Sequence, residues 1–190
     1  MTWLDRLLQY WRTRVALREL PPGARVLDIG THDGTLFRLG GVGGVGIDPE
    51  LAGDASATGV TLLRGAFPAD MPAVPSPRQF DAATALAVVE HVPGEDLAGW
   101  AKALAELIAP GGVLVITVPA PAVDAILRVL MRLRLVAGIE AHQHHRFKPG
   151  DLEAIFAPPL WRRAKHRTFE FGLNHLYVFR RTADEAAGRP

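Results

Sequence analysis

The apolar positions of the chain change period several times, and each change marks an element. Trp3, Leu4, Leu7, Leu8, Trp11 and Val15 recur at spacings of three and four, which predicts an amphipathic helix over 2–20 that stops before Pro21-Pro22-Gly23. Its stripe needs a cover. The body of the protein is the simplest one, with a partner or a membrane surface as the alternative. Short apolar runs follow at 26–29, 45–47, 60–63, 80–89 and 113–118, the pattern of strands buried on both faces. Between the last two, Leu97, Trp100, Leu104, Leu107 and Ile108 mark one helix face, which Pro110-Gly111-Gly112 terminates. Asp48 and Pro49 have the chemistry of a helix cap and first helical residue, and four prolines over 65–78 predict an irregular loop.

Beyond 120, Val123, Ile126, Leu127, Leu130 and Leu133 return to helical spacing, with Arg128, Arg132 and Arg134 on the other side. Gly138 ends that stretch, and a loop carrying His142, His144 and His145 follows. A short helix through Leu152, Ile155 and Phe156 stops at Pro158-Pro159. Two strands, at 167–171 and 174–180, are joined by Gly172-Leu173, a connection too tight for a crossover helix and suited to an antiparallel hairpin. The polar tail over 182–190 is expected to fray. Alternating strands and helices from 25 to 118 specify an α/β fold: a doubly wound, mostly parallel seven-stranded sheet with a C-terminal antiparallel hairpin, forming one domain over 1–181.

Composition narrows the function without deciding it. A chain of 190 residues, 48% hydrophobic and 22% charged, suits one globular unit with a single sizeable core. The formal net charge of +1 supplies no overall field toward nucleic acid or an anionic membrane, so neither is favoured as a partner. The absence of cysteine excludes disulfides, thiolate metal sites and cysteine nucleophiles. Asp5, Arg6, Arg12 and Arg14 interrupt the N-terminal apolar residues, so no signal-peptide core is read there, and the apolar stretch over 113–123 is too short to cross a bilayer. A cytoplasmic protein is expected.

The chemistry is concentrated in Arg25-Val-Leu-Asp-Ile-Gly-Thr-His-Asp-Gly-Thr35 and, after it, Gly46-Ile-Asp-Pro-Glu50. The first segment is a strand running into a glycine-punctuated turn. Asp48 ends the next strand, where a carboxylate can bond both hydroxyls of a ribose, and this implies a nucleoside-containing ligand. Gly41-Val-Gly-Gly-Val-Gly46 satisfies the dinucleotide pattern literally, but it follows a helical stretch and enters a strand, the reverse of the required order. A nicotinamide cofactor is therefore set aside.

Val26-Leu-Asp-Ile-Gly-Thr-His-Asp-Gly34 resembles the first strand and turn of the class I S-adenosylmethionine-dependent methyltransferases, in particular the small-molecule group that includes the quinone-biosynthesis enzymes. The resemblance covers about 24–120, with a weaker match through Arg146-Phe-Lys-Pro-Gly-Asp-Leu152 to the last strand. His32 stands where the family usually has its middle glycine. The resemblance implies S-adenosylmethionine as cofactor, with Asp28, Gly30, Thr31, His32 and Gly34 at the turn that faces it, Asp48 and Pro49 at the ribose, Ala66 and Phe67 at the adenine, and Leu86 where strand carbonyls face the methionine part. An acid often bonds the adenine amine at position 66; with alanine there, backbone groups at 66 and 67 or Asp70 must substitute.

Glu90-His91-Val92 resembles the family's signature beside the methyl-transfer centre, which makes His91 the first candidate base. His142 and His144 are further candidates in the loop that in the family lies over the acceptor. No metal site is expected from 142, 144 and 145, since no carboxylate stands at an obvious ligand spacing. The implied reaction is transfer of a methyl group to a small-molecule oxygen, carbon or nitrogen. The protein then mainly aligns donor and acceptor, and a base matters only where the acceptor loses a proton. Two other readings stand beside it. His32 and Ala66 suggest a noncatalytic partner subunit that keeps the fold; the tryptophan-rich first helix and the arginines near 130 suggest a membrane-surface enzyme acting on a lipid or quinone.

Overall fold

The segment Arg25–Ile29 (β1) is buried at every position after Arg25, and its alternate side chains serve two different cores. Val26 packs with Val15, Ala16, Leu36 and Phe37, whereas Leu27 and Ile29 pack with Leu97, Leu104 and Phe156. Burial on both faces is what a continuous apolar run requires of a parallel strand. A computed structural model describes residues 3–72, 79–120 and 150–183, and in it seven further strands extend β1 into one sheet. They are Gly43–Asp48 (β2), Ala55–Ala57 (β3), Val60–Arg64 (β4), Phe80–Leu86 (β5), Ile108–Pro119 (β6), Trp161–Phe169 (β7) and Asn174–Arg181 (β8). Their order is β3-β4-β2-β1-β5-β6-β8-β7. The pairs from β4 to β6 are parallel, and β8 runs antiparallel to both β6 and β7, forming the expected hairpin. All seven expected strands are present. The eighth, β3, is an exposed three-residue edge antiparallel to β4, and Ala-Ser-Ala carries no periodic signal by which to find it.

Trp3–Leu17 (α1) and Thr35–Gly40 (α2) supply the first core; Gly94–Leu107 (α3) and Asp151–Ile155 (α4) supply the second. Helix α1 ends three residues before the expected 20, where Glu19 N–H bonds the Ala16 carbonyl at 2.9 Å and the chain tightens into turns ahead of Pro21. Its stripe is only partly covered: Val15 and Ala16 are in the core, but Leu7 and Trp11 face outward. The apolar arc of the helix is wider than the surface it docks on.

Several boundaries move for local reasons. Strand β5 stops at Leu86 rather than 89, because Ala87 adopts φ 58° and Val89–His91 form a 3-10 turn. Asp48-Pro49 opens a turn and not a helix: the Asp48 Oδ1 accepts the Glu50 N–H at 2.8 Å, and the chain then enters β3. Strand β7 begins six residues before 167, with burial confined to Trp161 and Phe169 and exposed or half-buried residues throughout between them. Residues 121–149, with the expected helix over 123–133 and His142, His144 and His145, lie outside the described residues, as does the tail from 184. No helix among the described residues is long and apolar enough to cross a membrane.

Candidate functional site

From β1 the chain moves outward through β2 and β4, then returns to the other side of β1 as β5. The β1/β5 boundary is thus a topological switch point, where the carboxyl ends of parallel strands leave a crevice. A cleft of about 670 Å³ lies there, lined by Gly30, His32, Asp48, Pro49, Leu86 and His91, all singled out from the sequence, together with Leu8, Gln9 and Arg12 of α1 and Val88. A second cavity of about 650 Å³ shares Gly30, Pro49, Val88 and His91 and continues over Ala66, Phe67, Val92 and Trp100. A chamber of about 40 Å³ branches from Gly30 and Leu86 to Asp28, Thr31 and Arg12.

Asp28, next to last in β1, is 4% exposed, and Thr84 of β5 donates its hydroxyl to Oδ1 at 2.5 Å. Burial pushes this carboxyl from 3.8 up to about 6; the Thr84 and Thr31 hydroxyls restrain the rise, and the charge of Asp48 adds to it. The adjoining chamber is large enough for a water molecule, and its walls are polar enough to hold one.

Gly30 takes φ 72° and donates its N–H to the Ile47 carbonyl at 2.9 Å. A Cβ there would lie 2.3 Å from Val88 Cγ2, so only glycine permits the β1 turn and the segment after β5 to approach this closely. His32 also takes a left-handed backbone, φ 52°, and donates its N–H to Asp48 Oδ2 at 2.8 Å while its ring is half exposed. That backbone bond holds a non-glycine residue in the left-handed conformation. Asp48, 7% exposed, therefore accepts one main-chain donor on each oxygen. A carboxylate has about four acceptor positions, so it retains capacity for two hydroxyls.

Gly34 is outside the cleft: at φ 71° it caps the start of α2. The Ala66 N–H is bonded by Asp70 Oδ2 at 2.8 Å, so Asp70 holds its own loop and does not line the second cavity. Phe67 is 7% exposed and meets Trp100 edge-on, ring centroids 5.1 Å apart, giving that cavity an aromatic wall. Glu90 is buried, and His91 stands exposed where the two larger cavities join. His142 and His144 fall outside the described residues. The glycine-rich decoy is a packing feature: a Cβ on Gly44 would lie 1.9 Å from the Val26 carbonyl oxygen of the neighbouring strand.

Sequence reasoning missed Arg12, Val88 and Trp100. Trp100 reads as a core residue, and Val88 as the end of a strand. Arg12 did leave a signal, since it lies four residues after Leu8 and three before Val15, a cation inside an apolar stripe. It lines both the main cleft and the small chamber, and its charge acts on Glu170, which is 4% exposed. Burial raises the Glu170 carboxyl, while Arg12 and a hydrogen bond from the Asn174 amide oppose that rise.

A family model described as a methyltransferase domain matches residues 2–157. The chain belongs to that family. Ubiquinone biosynthesis O-methyltransferase of Xanthomonas campestris pv. campestris is 33% identical over 160 residues, 77% of this chain; the chain spans 64% of the length of that relative. A protein of Pyrococcus horikoshii has a similar fold, with a TM-score of 0.65 at 14% identity, covering 95% of this chain and 92% of the other. So does a Burkholderia thailandensis 1,6-didemethyltoxoflavin-N1-methyltransferase solved with S-adenosylhomocysteine, at TM-score 0.62 and 15% identity over 95% of this chain and 81% of that one. The sheet is the Rossmann-like one that the sequence implied.

Proposed function

We propose that the chain transfers the methyl group of S-adenosylmethionine to a small-molecule acceptor, with oxygen the acceptor atom that the names of its curated relatives support. The observation that carries the reading is Asp48: a buried carboxylate at the end of β2, held by the His32 and Glu50 amides and opening on the switch-point cleft.

The side chains around it match the cofactor group by group. Asp48 accepts the ribose hydroxyls. Asp28 faces the ammonium through the water-sized chamber, and Arg12 supplies the cation for the carboxylate of the amino-acid part. Phe67 and Trp100 receive the adenine beside Ala66, and Gly30, Thr31, Pro49 and Leu86 line the passage between. When bound, the cofactor supplies an activated methyl on a sulfonium. The protein's part is to hold the acceptor in line with that methyl and to keep water out. His91, at the junction of the cavities, is placed to take a proton from an acceptor hydroxyl.

Calorimetry with S-adenosylhomocysteine tests the reading. The wild type binds it, and Asp48→Ala weakens binding at least about tenfold, the loss of a charge-assisted hydrogen-bond pair. Unchanged binding in that variant would remove Asp48 from the site. Binding without turnover over a broad panel of phenols, alcohols and amines would turn the reading toward a noncatalytic subunit.

A further inference from the structure

The large apolar side chains that stand exposed among the described residues gather on one face: Leu7 at 51%, Tyr10 at 44%, Trp11 at 40% and Phe171 at 95%. Leu7 lies one turn of α1 before the adjacent Tyr10 and Trp11, and the Trp11 ring meets the Phe171 ring edge-on at 6.2 Å. Phe171 is displayed by an unusual backbone, since Glu170, Phe171 and Gly172 take φ 50°, 57° and 82° in succession. Two consecutive non-glycine residues in that region are costly, so the projection of the ring is imposed by the surrounding fold and is no default of the hairpin.

Charge decides what such a face fits. Arg6, Arg14 and Arg18 are exposed on and just after α1, and the Arg14 guanidinium lies 5.6 Å from the centre of the Tyr10 ring. Asp5 is the single acid over 3–18, against Arg6, Arg12, Arg14 and Arg18. The balanced net charge of the whole chain therefore conceals a cationic edge. A second copy docked symmetrically would bring these arginines against themselves. Aromatic rings at headgroup depth with arginines at lipid phosphates are the composition that an anionic bilayer surface accommodates.

We propose that this face docks the protein on an anionic bilayer surface, with α1 in the interfacial plane and Phe171 inserted beside Trp11. Leu8, Gln9 and Arg12, on the adjoining side of the same helix, line the cleft, so docking brings its mouth to the lipid boundary.

The test is sedimentation of the full chain with vesicles of phosphatidylcholine, alone or mixed with phosphatidylglycerol. The protein should pellet with the anionic vesicles, less so at high salt, and Phe171→Asn or Leu7→Ser should each lower the partition coefficient about tenfold. Both residues are exposed and asparagine tolerates the backbone at 171, so unchanged thermal midpoints separate lost docking from lost fold. Three results would overturn the proposal. The first is no pelleting, or equal pelleting of wild type and Phe171→Asn. The second is a concentration-dependent dimer abolished by Phe171→Asn, which assigns the face to a second copy. The third is shielding of Trp11 from acrylamide in vesicle-free protein, read as the difference between wild type and Trp11→Phe, which shows the face already covered before any lipid is present.

Discussion

Asp28 links the candidate site to pH. Its carboxyl titrates near 6 in the folded protein against 3.8 in the unfolded chain, so between those values the fold takes up a proton. The stabilisation from the neutral acid is fully present below pH 3.8 and is lost as pH rises through about 6, a difference of about 3 kcal/mol. Asp28→Asn keeps the shape and removes the titration. In urea unfolding at pH 4.5 and pH 7.5, the wild type should lose about 2 kcal/mol more than the variant between the two conditions, the part of the difference that lies above pH 4.5; parallel pH profiles would show an ordinary acid. Asp28, Gly30 and Asp48 were legible in the sequence because their roles depend on residue type at a fixed offset from a strand. Val88 was not, because its role depends on lying within 2.3 Å of the place a Gly30 Cβ would occupy, a contact made only when β5 comes beside β1.

Within α3, two residues one turn apart on the same buried face do different work. Leu104 is wholly buried in the second core, while Trp100 both packs in that core and walls the cavity next to Phe67. Leu104→Ala should cost about 3 kcal/mol in chemical denaturation and leave S-adenosylhomocysteine affinity within about twofold under conditions where the protein stays folded. Trp100→Ala should cost about as much stability and also weaken the cofactor by tenfold or more. Equal affinity in both variants would take Trp100 out of the site. The helical spacing identified this face and could not divide it, since periodicity reports burial and not what lies across the gap. The same limit explains β7, an edge strand whose run Arg162-Arg163-Ala164-Lys165-His166 shows no alternation because none of it enters a core.

Across the whole molecule α1 has three duties on three faces, and they can be separated. Val15 and Ala16 complete the core under Val26, Ala82 and Val115; Arg12 lines the cleft; Leu7, Tyr10 and Trp11 look outward. The sequence showed the stripe, but the share of it that the sheet and α2 cover is a property of the assembled fold. Arg12 is where the duties meet, because its charge also moderates the buried Glu170. Arg12→Gln should weaken S-adenosylhomocysteine about tenfold, through loss of the cation facing a carboxylate. It should also destabilise the protein more at pH 8 than at pH 5. With Arg12 gone the Glu170 carboxyl rises further in the fold, and the stability that depends on its neutral form is lost as pH climbs past its raised value. Adding Glu170→Gln removes the buried charge, so the double variant should recover stability at pH 8 while cofactor affinity stays low. Recovery of affinity along with stability would mean that Arg12 acts on the cofactor only by holding the fold, and its place in the site would fall.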